Sequence, residues 1–320
     1  MANAQYGIIF IVLIIYAGFA ILLDFRAKEI EVKPERPARN ISKPIEILYY
    51  TNLFLNTPQP YWIAGEECNN VKKGSCIVHS NRSRISEADA VVFEPRFIDF
   101  DLRTVPRNGE QVFVFSVNES PERFGPPAHI ENFFNASMNY LFTADIPFNN
   151  RYRWLDKEMA GKEALPFRPI GIDQEKLHRN RTHLISAFIG NCRSTPICMD
   201  YVTEKYWNRS TYHSVPILWS REVAKNQGIP ENSVLYVEDY ESMTNLLLKL
   251  QNLANSTAEY ERLFSWRNNY MFLPEHPSRE CNLCEYVQRR PPYKSYRNVY
   301  LTFYEQSNCQ RDFLDNFLAV

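Results

Sequence analysis

The sequence predicts an α/β protein: two Rossmann-like halves facing a cleft, preceded by one apolar N-terminal segment. Three observations predict it. Short apolar runs bounded by turn residues recur along the chain, as buried parallel strands do. Segments with helical apolar spacing alternate with those runs, which is the pattern of α/β architecture. A charged, proline-containing stretch separates the apolar N-terminus from the first run. The 320 residues suffice for two cores, and 45% hydrophobic residues argue for a folded chain. The formal net charge of −1 offers no footprint for a polyanion, so nucleic acid is not an expected partner.

Tyr6 to Leu23 reads YGIIFIVLIIYAGFAILL, eighteen residues without a charge and without a polar stripe. That length just crosses a bilayer as a helix. No basic residue precedes it and no A-x-A site follows it at once, so a retained anchor is favoured over a cleaved signal peptide. Residues 24–44, with Pro34, Pro37 and Pro44, read as a stem. The first strand is expected at Ile45-Glu46-Ile47-Leu48-Tyr49-Tyr50, followed by Ala90-Val91-Val92-Phe93 and Val112-Phe113-Val114-Phe115. A boundary falls between Glu163 and Arg181. Beyond it come a strand at 184–189, a helix from about Asp200 to Arg209, and strands at 215–219 and 234–237. Leu246, Leu247, Leu250 and Leu253 mark a helix between Glu241 and Leu253, and Tyr260, Leu263 and Phe264 a second. The division is therefore a tail and anchor at 1–23, a stem at 24–44, halves at 45–165 and 166–290, and a C-terminal tail at 291–320. No G-x-G-x-x-G or Walker A sequence is present.

Topology draws on conflicting signals. Arg26, Lys28, Lys33, Arg36 and Arg39 come after the apolar segment, and the positive-inside rule would keep the C-terminal part of the chain cytosolic. Seven N-x-S/T patterns oppose this, starting at Asn40, Asn81, Asn118, Asn135, Asn180, Asn208 and Asn255. Pro121 after Ser120 makes Asn118 a poor acceptor. Seven cysteines fit an oxidising compartment, and their odd number leaves at least one thiol free or bridged to another chain. Cys281-Asn-Leu-Cys284 lacks the second pair a zinc site needs and reads as part of a C-terminal disulfide group with Cys309.

The most informative stretch is Asp200-Tyr201-Val202-Thr203-Glu204-Lys205. On a helix, Tyr201, Glu204 and Lys205 share one face, with Asp200 as N-cap. An aromatic, a carboxylate and an ammonium suit a sugar nucleotide. On spacing alone, an ordinary solvated face with a Glu–Lys contact is the favoured account. The segment resembles the D-Y-V-T-E-K signature of the α-1,3-fucosyltransferases, glycosyltransferase family 10, and other segments agree in order. Phe134-Asn135-Ala136-Ser137-Met138-Asn139-Tyr140 before Asp145-Ile146 is similar to that family's F-N-x-T-M-S-Y…D-S-D-I. Asn118-Glu119-Ser120-Pro121 resembles its E-S-P segment, and Ile189-Gly190-Asn191-Cys192 its V-S-N-C strand end. Val237-Glu238-Asp239-Tyr240-Glu241-Ser242, with Tyr260 and Phe264-Ser265-Trp266-Arg267, is similar to its closing helices.

The resemblance implies a GT-B fold with an acceptor-side first half and a donor-binding second half. It implies transfer of L-fucose from GDP-fucose to GlcNAc of glycan acceptors with inversion. Glu119 would be the catalytic base, and Tyr201, Glu204, Lys205 and Arg193 would bind the donor. It also implies a single-pass type II protein of the Golgi membrane, held by the N-terminal helix with its catalytic part lumenal. No metal is required, and Mn²⁺ would be at most an accessory ion; Asp99-Phe100-Asp101 has D-x-D spacing but lies away from the donor segment. A glycan at Asn208, seven residues past Tyr201, would crowd the cleft.

One departure is large. Several dozen residues normally separate the S-N-C strand end from the signature, whereas here Asp200 comes almost directly after Cys192. That interval is too short for a full βαβ unit, so the donor half is expected to be shortened by an internal deletion. A non-catalytic, membrane-anchored relative is the alternative to an active enzyme.

Overall fold

A computed structural model describes residues 30–32, 43–51, 61–62, 68, 71, 74–123, 131–147, 152–173, 197–203, 205–207, 212–224, 226–274 and 279–310. The predicted anchor at 6–23, the strand at 184–189, Cys192, Arg193, Glu204 and Asn208 lie outside these. Among the described residues, no helix is long and apolar enough to cross a membrane.

The chain begins with β1 (Ile30–Val32), β2 (Ile45–Thr51), β3 (Tyr61–Trp62), β4 (Cys76–His79), β5 (Ala90–Phe93), β6 (Val112–Ser116), β7 (Ala136–Asn139) and β8 (Ile146–Pro147). Strands β2 to β8 form one seven-stranded sheet in the order β3-β4-β2-β5-β6-β7-β8. Every pairing in it is parallel except that of edge strand β3 with β4. Strands β4 to β7 are buried at every position, which explains their apolar runs.

Further along the chain lie β9 (Tyr152–Asp156), α1 (Lys157–Lys162), β10 (Ile217–Leu218), α2 (Arg221–Ala224), β11 (Leu235–Tyr236), α3 (Met243–Asn255), α4 (Thr257–Arg262), β12 (Tyr270–Pro274), α5 (Arg279–Arg289), β13 (Lys294–Tyr296) and α6 (Val299–Ser307). Both faces of the sheet are covered from the far end of the chain. On one face Ile47, Val78, Val92 and Val114 pack against Leu283 and Val287 of α5. On the other, Leu48, Val91, Phe93 and Phe115 pack against Val299 and Phe303 of α6. The alternation of Ile47 and Leu48 is the period of two that a strand imposes. Residues 279–290, grouped by sequence with the second half, and much of the expected tail thus lie on the first half's sheet.

Disulfides fix this return. Cys281 is bonded to Cys68 and Cys284 to Cys76, while Cys309 is bonded to Cys198. The expected grouping of the C-x-x-C pair with Cys309 is therefore corrected. Cys281 and Cys284 stand three apart on a helix, so both face the sheet that carries their partners.

Among the described residues, the second half contains the parallel pair β10 with β11, and β12 pairs antiparallel with β9, so residues 152–156, grouped by sequence with the first half, join the second. Trp154, Tyr206, Trp207, Val223, Val234 and Trp266 form its core. Leu246, Leu250 and Leu253 of α3 pack on Leu235 and Val237. Ser242 caps α3, its hydroxyl accepting from the Asn245 N–H.

Candidate functional site

Ligands of open parallel sheets bind beyond the carboxyl ends of the strands, and Glu119 stands there. The Val117 N–H still donates to the Met138 carbonyl at 3.0 Å, which continues the ladder past β6. Pro121 then opens a 3₁₀ turn over Pro121–Arg123, because its fixed φ suits a first helical position. Glu119 occupies the bend between strand and turn, with its side chain 34% exposed. The Tyr201 hydroxyl donates to Glu119 Oε2 at 2.7 Å. Arg123 Nε lies 3.8 Å from the same oxygen.

Tyr201 reaches Glu119 from a turn, not from a helix. Asp200 has φ +60°, a left-handed conformation that aspartate tolerates better than most residues. It is buried, and its carboxylate accepts from the Phe142 N–H at 3.3 Å and from Asn226 Nδ2 at 2.8 Å. Its carbonyl accepts from Gln227 Nε2 at 2.9 Å. The expected Asp200 N-cap is thus corrected: Asp200 is the hub of a turn that the Cys198–Cys309 bridge closes from behind. Among the described residues of this stretch, 205–207 are helical, and the Tyr206 N–H donates to the Thr203 carbonyl at 3.1 Å. Tyr201 and Lys205 therefore do not share one helix face. Lys205 is exposed, while Tyr206 and Trp207 behind it are buried in the second half's core.

The Tyr201 ring packs on Tyr140 at 4.9 Å between centroids. Tyr140 is fixed in turn by donating to Ser307 Oγ at 3.1 Å, and burial pushes its phenol well above the usual range. Carboxylates and guanidiniums meet at the same ends of β5 and β6. Glu94, just past β5, is buried and pairs with Arg96 at 2.9 Å. Burial outweighs that arginine and raises the Glu94 carboxyl above its ordinary range. Arg279 Nη1 donates to Asn118 Oδ1 at 3.4 Å, beside Glu119.

Of the five residues singled out from sequence, the structure brings Glu119 and Tyr201 into contact and exposes Lys205; Glu204 and Arg193 lie outside the described residues. Arg123, Tyr140 and Ser307 were not singled out. Arg123 carried a usable signal, an opposite charge four residues after Glu119. The Tyr140–Ser307 bond spans 167 residues and left none. Asp101 is committed to capping a 3₁₀ turn and pairing with Arg103. Among the described residues, no three His, Cys, Asp or Glu side chains group as metal ligands.

Two family models match the chain. One, described as fucosyltransferase, N-terminal, covers residues 42–151. The other, described as glycosyltransferase family 10 (fucosyltransferase) C-term, covers residues 191–302. Together they take in more than half of the chain. The chain is 25% identical over 338 residues to alpha-(1,3)-fucosyltransferase fut-5 of Caenorhabditis elegans, covering 86% of this chain and 87% of that one. It is 26% identical over 265 residues to 4-galactosyl-N-acetylglucosaminide 3-alpha-L-fucosyltransferase 9 of Homo sapiens, with coverages of 70% and 73%. To alpha-(1,3)-fucosyltransferase 7 of Homo sapiens it is 24% identical over 286 residues, with coverages of 76% and 82%.

Proposed function

This chain belongs to glycosyltransferase family 10, and on that premise we propose that it is an α-1,3-fucosyltransferase acting from GDP-fucose on GlcNAc-containing glycans. One observation carries the proposal. The Tyr201–Glu119 hydrogen bond joins the two matched segments at the carboxyl ends of a parallel sheet, where a sugar nucleotide and an acceptor can meet.

The chemistry is a single displacement. A GlcNAc hydroxyl attacks C1 of fucose, the C1–O bond to the diphosphate breaks, and the configuration inverts. Glu119 accepts the hydroxyl proton. Lys205, exposed on its turn, and Arg193 meet the charge that builds on the departing GDP. Glu204 accepts from donor hydroxyls. No metal is required, and Mn²⁺ acts at most as an accessory. The two halves form a GT-B pair, and residues 6–23 anchor the protein in the Golgi membrane with the enzyme lumenal.

A non-catalytic relative is the second reading, favoured by the short interval between Cys192 and Asp200. The test is GDP-fucose binding and fucose transfer to N-acetyllactosamine by the full-length chain in detergent, beside Lys205→Ala. Saturable binding, transfer, and a tenfold or greater loss of donor affinity in the variant, about 1.4 kcal/mol, are expected. No donor binding by a folded chain would establish the non-catalytic reading.

A further inference from the structure

We propose that Tyr201 is a positioning residue for the catalytic base, holding one oxygen of Glu119 so that the other faces the acceptor, in place of the donor contact that its segment suggests. The inference rests on the fucosyltransferase reading and assigns a division of labour within that site.

The geometry is specific about which oxygen is engaged. Oε2 of Glu119 receives the Tyr201 hydroxyl at 2.7 Å and has Arg123 Nε at 3.8 Å. A carboxylate acting as base needs one oxygen directed at the acceptor hydroxyl, and a fixed partner on the other oxygen sets that direction. Glu119 is partly exposed on a bend, where backbone alone leaves its side chain free to rotate.

Tyr201 suits this task because it is itself held. Its ring lies on Tyr140 at 4.9 Å, and Tyr140 is tied through Ser307 to α6. Its backbone continues from the left-handed Asp200, which three hydrogen bonds and the neighbouring Cys198–Cys309 bridge fix. Departure from the helix matters here. On a regular helix Tyr201 would share a face with Lys205, whereas the turn directs its hydroxyl to the first half's carboxylate.

The test is Tyr201→Phe, which keeps the ring and its packing and removes one hydroxyl. In the full-length enzyme, kcat is expected to fall at least tenfold with KM for GDP-fucose unchanged. An unchanged kcat with a raised KM for GDP-fucose would overturn the proposal in favour of a donor contact. A second measurement needs no activity: a double-mutant cycle of Tyr201→Phe and Glu119→Ala, read in melting temperature. Non-additive shifts are expected. Additive shifts would overturn the contact, whereas non-additive shifts in an inactive protein would uphold it and reject only the fucosyltransferase reading.

Discussion

Asn135 begins an N-x-S/T pattern, yet it is only 1% exposed. Its Oδ1 accepts from the Phe113 N–H at 2.9 Å and from the Arg107 guanidinium, and its Nδ2 donates to the Lys294 carbonyl at 2.8 Å. Nδ2 is the atom a glycan would occupy, so peptide mapping of folded protein should find Asn135 bare. Asn255, exposed at the end of α3, stays accessible. Asn135→Ala strands the buried Phe113 N–H and two half-buried partners and should cost about 2–4 kcal/mol in denaturant unfolding. A loss under about 0.5 kcal/mol, typical of surface sites, would show that the network is dispensable. Glu94 gives a pH-dependent case. Its carboxyl is raised above the ordinary 4.5, first because burial disfavours the charge and despite Arg96. A raised folded value means that this group's contribution to stability is fully present below the ordinary value and is lost as pH rises through the raised one. Glu94→Gln removes that loss, so the variant should melt above the wild type near neutrality, with the gap shrinking towards acid. A gap constant across the range would assign the effect to packing.

Elements built from local pattern were legible in the sequence, and elements defined by distant partners were not. The expected runs at 45–50, 90–93 and 112–115 are β2, β5 and β6, since strands buried on both faces must be continuously apolar. Leucines at helical spacing marked α3. Neither β9 nor β12 was expected, because Tyr152–Asp156 finds its partner more than a hundred residues away. The helix over 200–209 fails at its start: Asp200 is drawn into a left-handed turn by Phe142, Asn226 and Gln227. The same limit applied to the candidate site: motif singled out Glu119, Tyr201 and Lys205, while the bond from Tyr140 to Ser307, 167 residues away, left no local signal. Disulfide pairing, equally non-local, gives the prediction at this scale. Cys281→Ser with Cys284→Ser removes two bridges closing loops of more than 200 residues. Each should cost about 2–5 kcal/mol. Hydrogen exchange should report early loss of protection across α5 and β2. Unaltered protection of α5 would mean that Leu283 and Val287 hold the helix without covalent help.

At the scale of the molecule, the chain returns on itself. Its last described elements complete the core begun by its first strands. Val299 and Phe303 of α6 are buried against Phe115 and Phe133, and the Met199 N–H donates to the Ser307 carbonyl at 2.8 Å. Cys309 then closes the bridge behind Asp200. One helix thus touches the sheet, Tyr140 and the turn carrying Tyr201, so the site is assembled only when the C-terminal segment has docked. Deleting residues 299–320 removes two buried apolar side chains, Val299 and Phe303, at about 1.5–3 kcal/mol each and one disulfide at about 2–5 kcal/mol. That sum is comparable to the whole stability of an ordinary domain, about 5–15 kcal/mol. The truncated chain should therefore lose its cooperative thermal transition. Phe303→Ala separates folding from assembly. It should cost about 3–5 kcal/mol, leave a folded protein at low temperature, and lower kcat there by loosening Tyr140 and, through it, Tyr201. A truncated chain that melts cooperatively at the wild-type temperature would show that the sheet stands without α6. A Phe303→Ala protein with wild-type kcat would show that the Tyr201 turn is held by Cys198 and Asp200 alone.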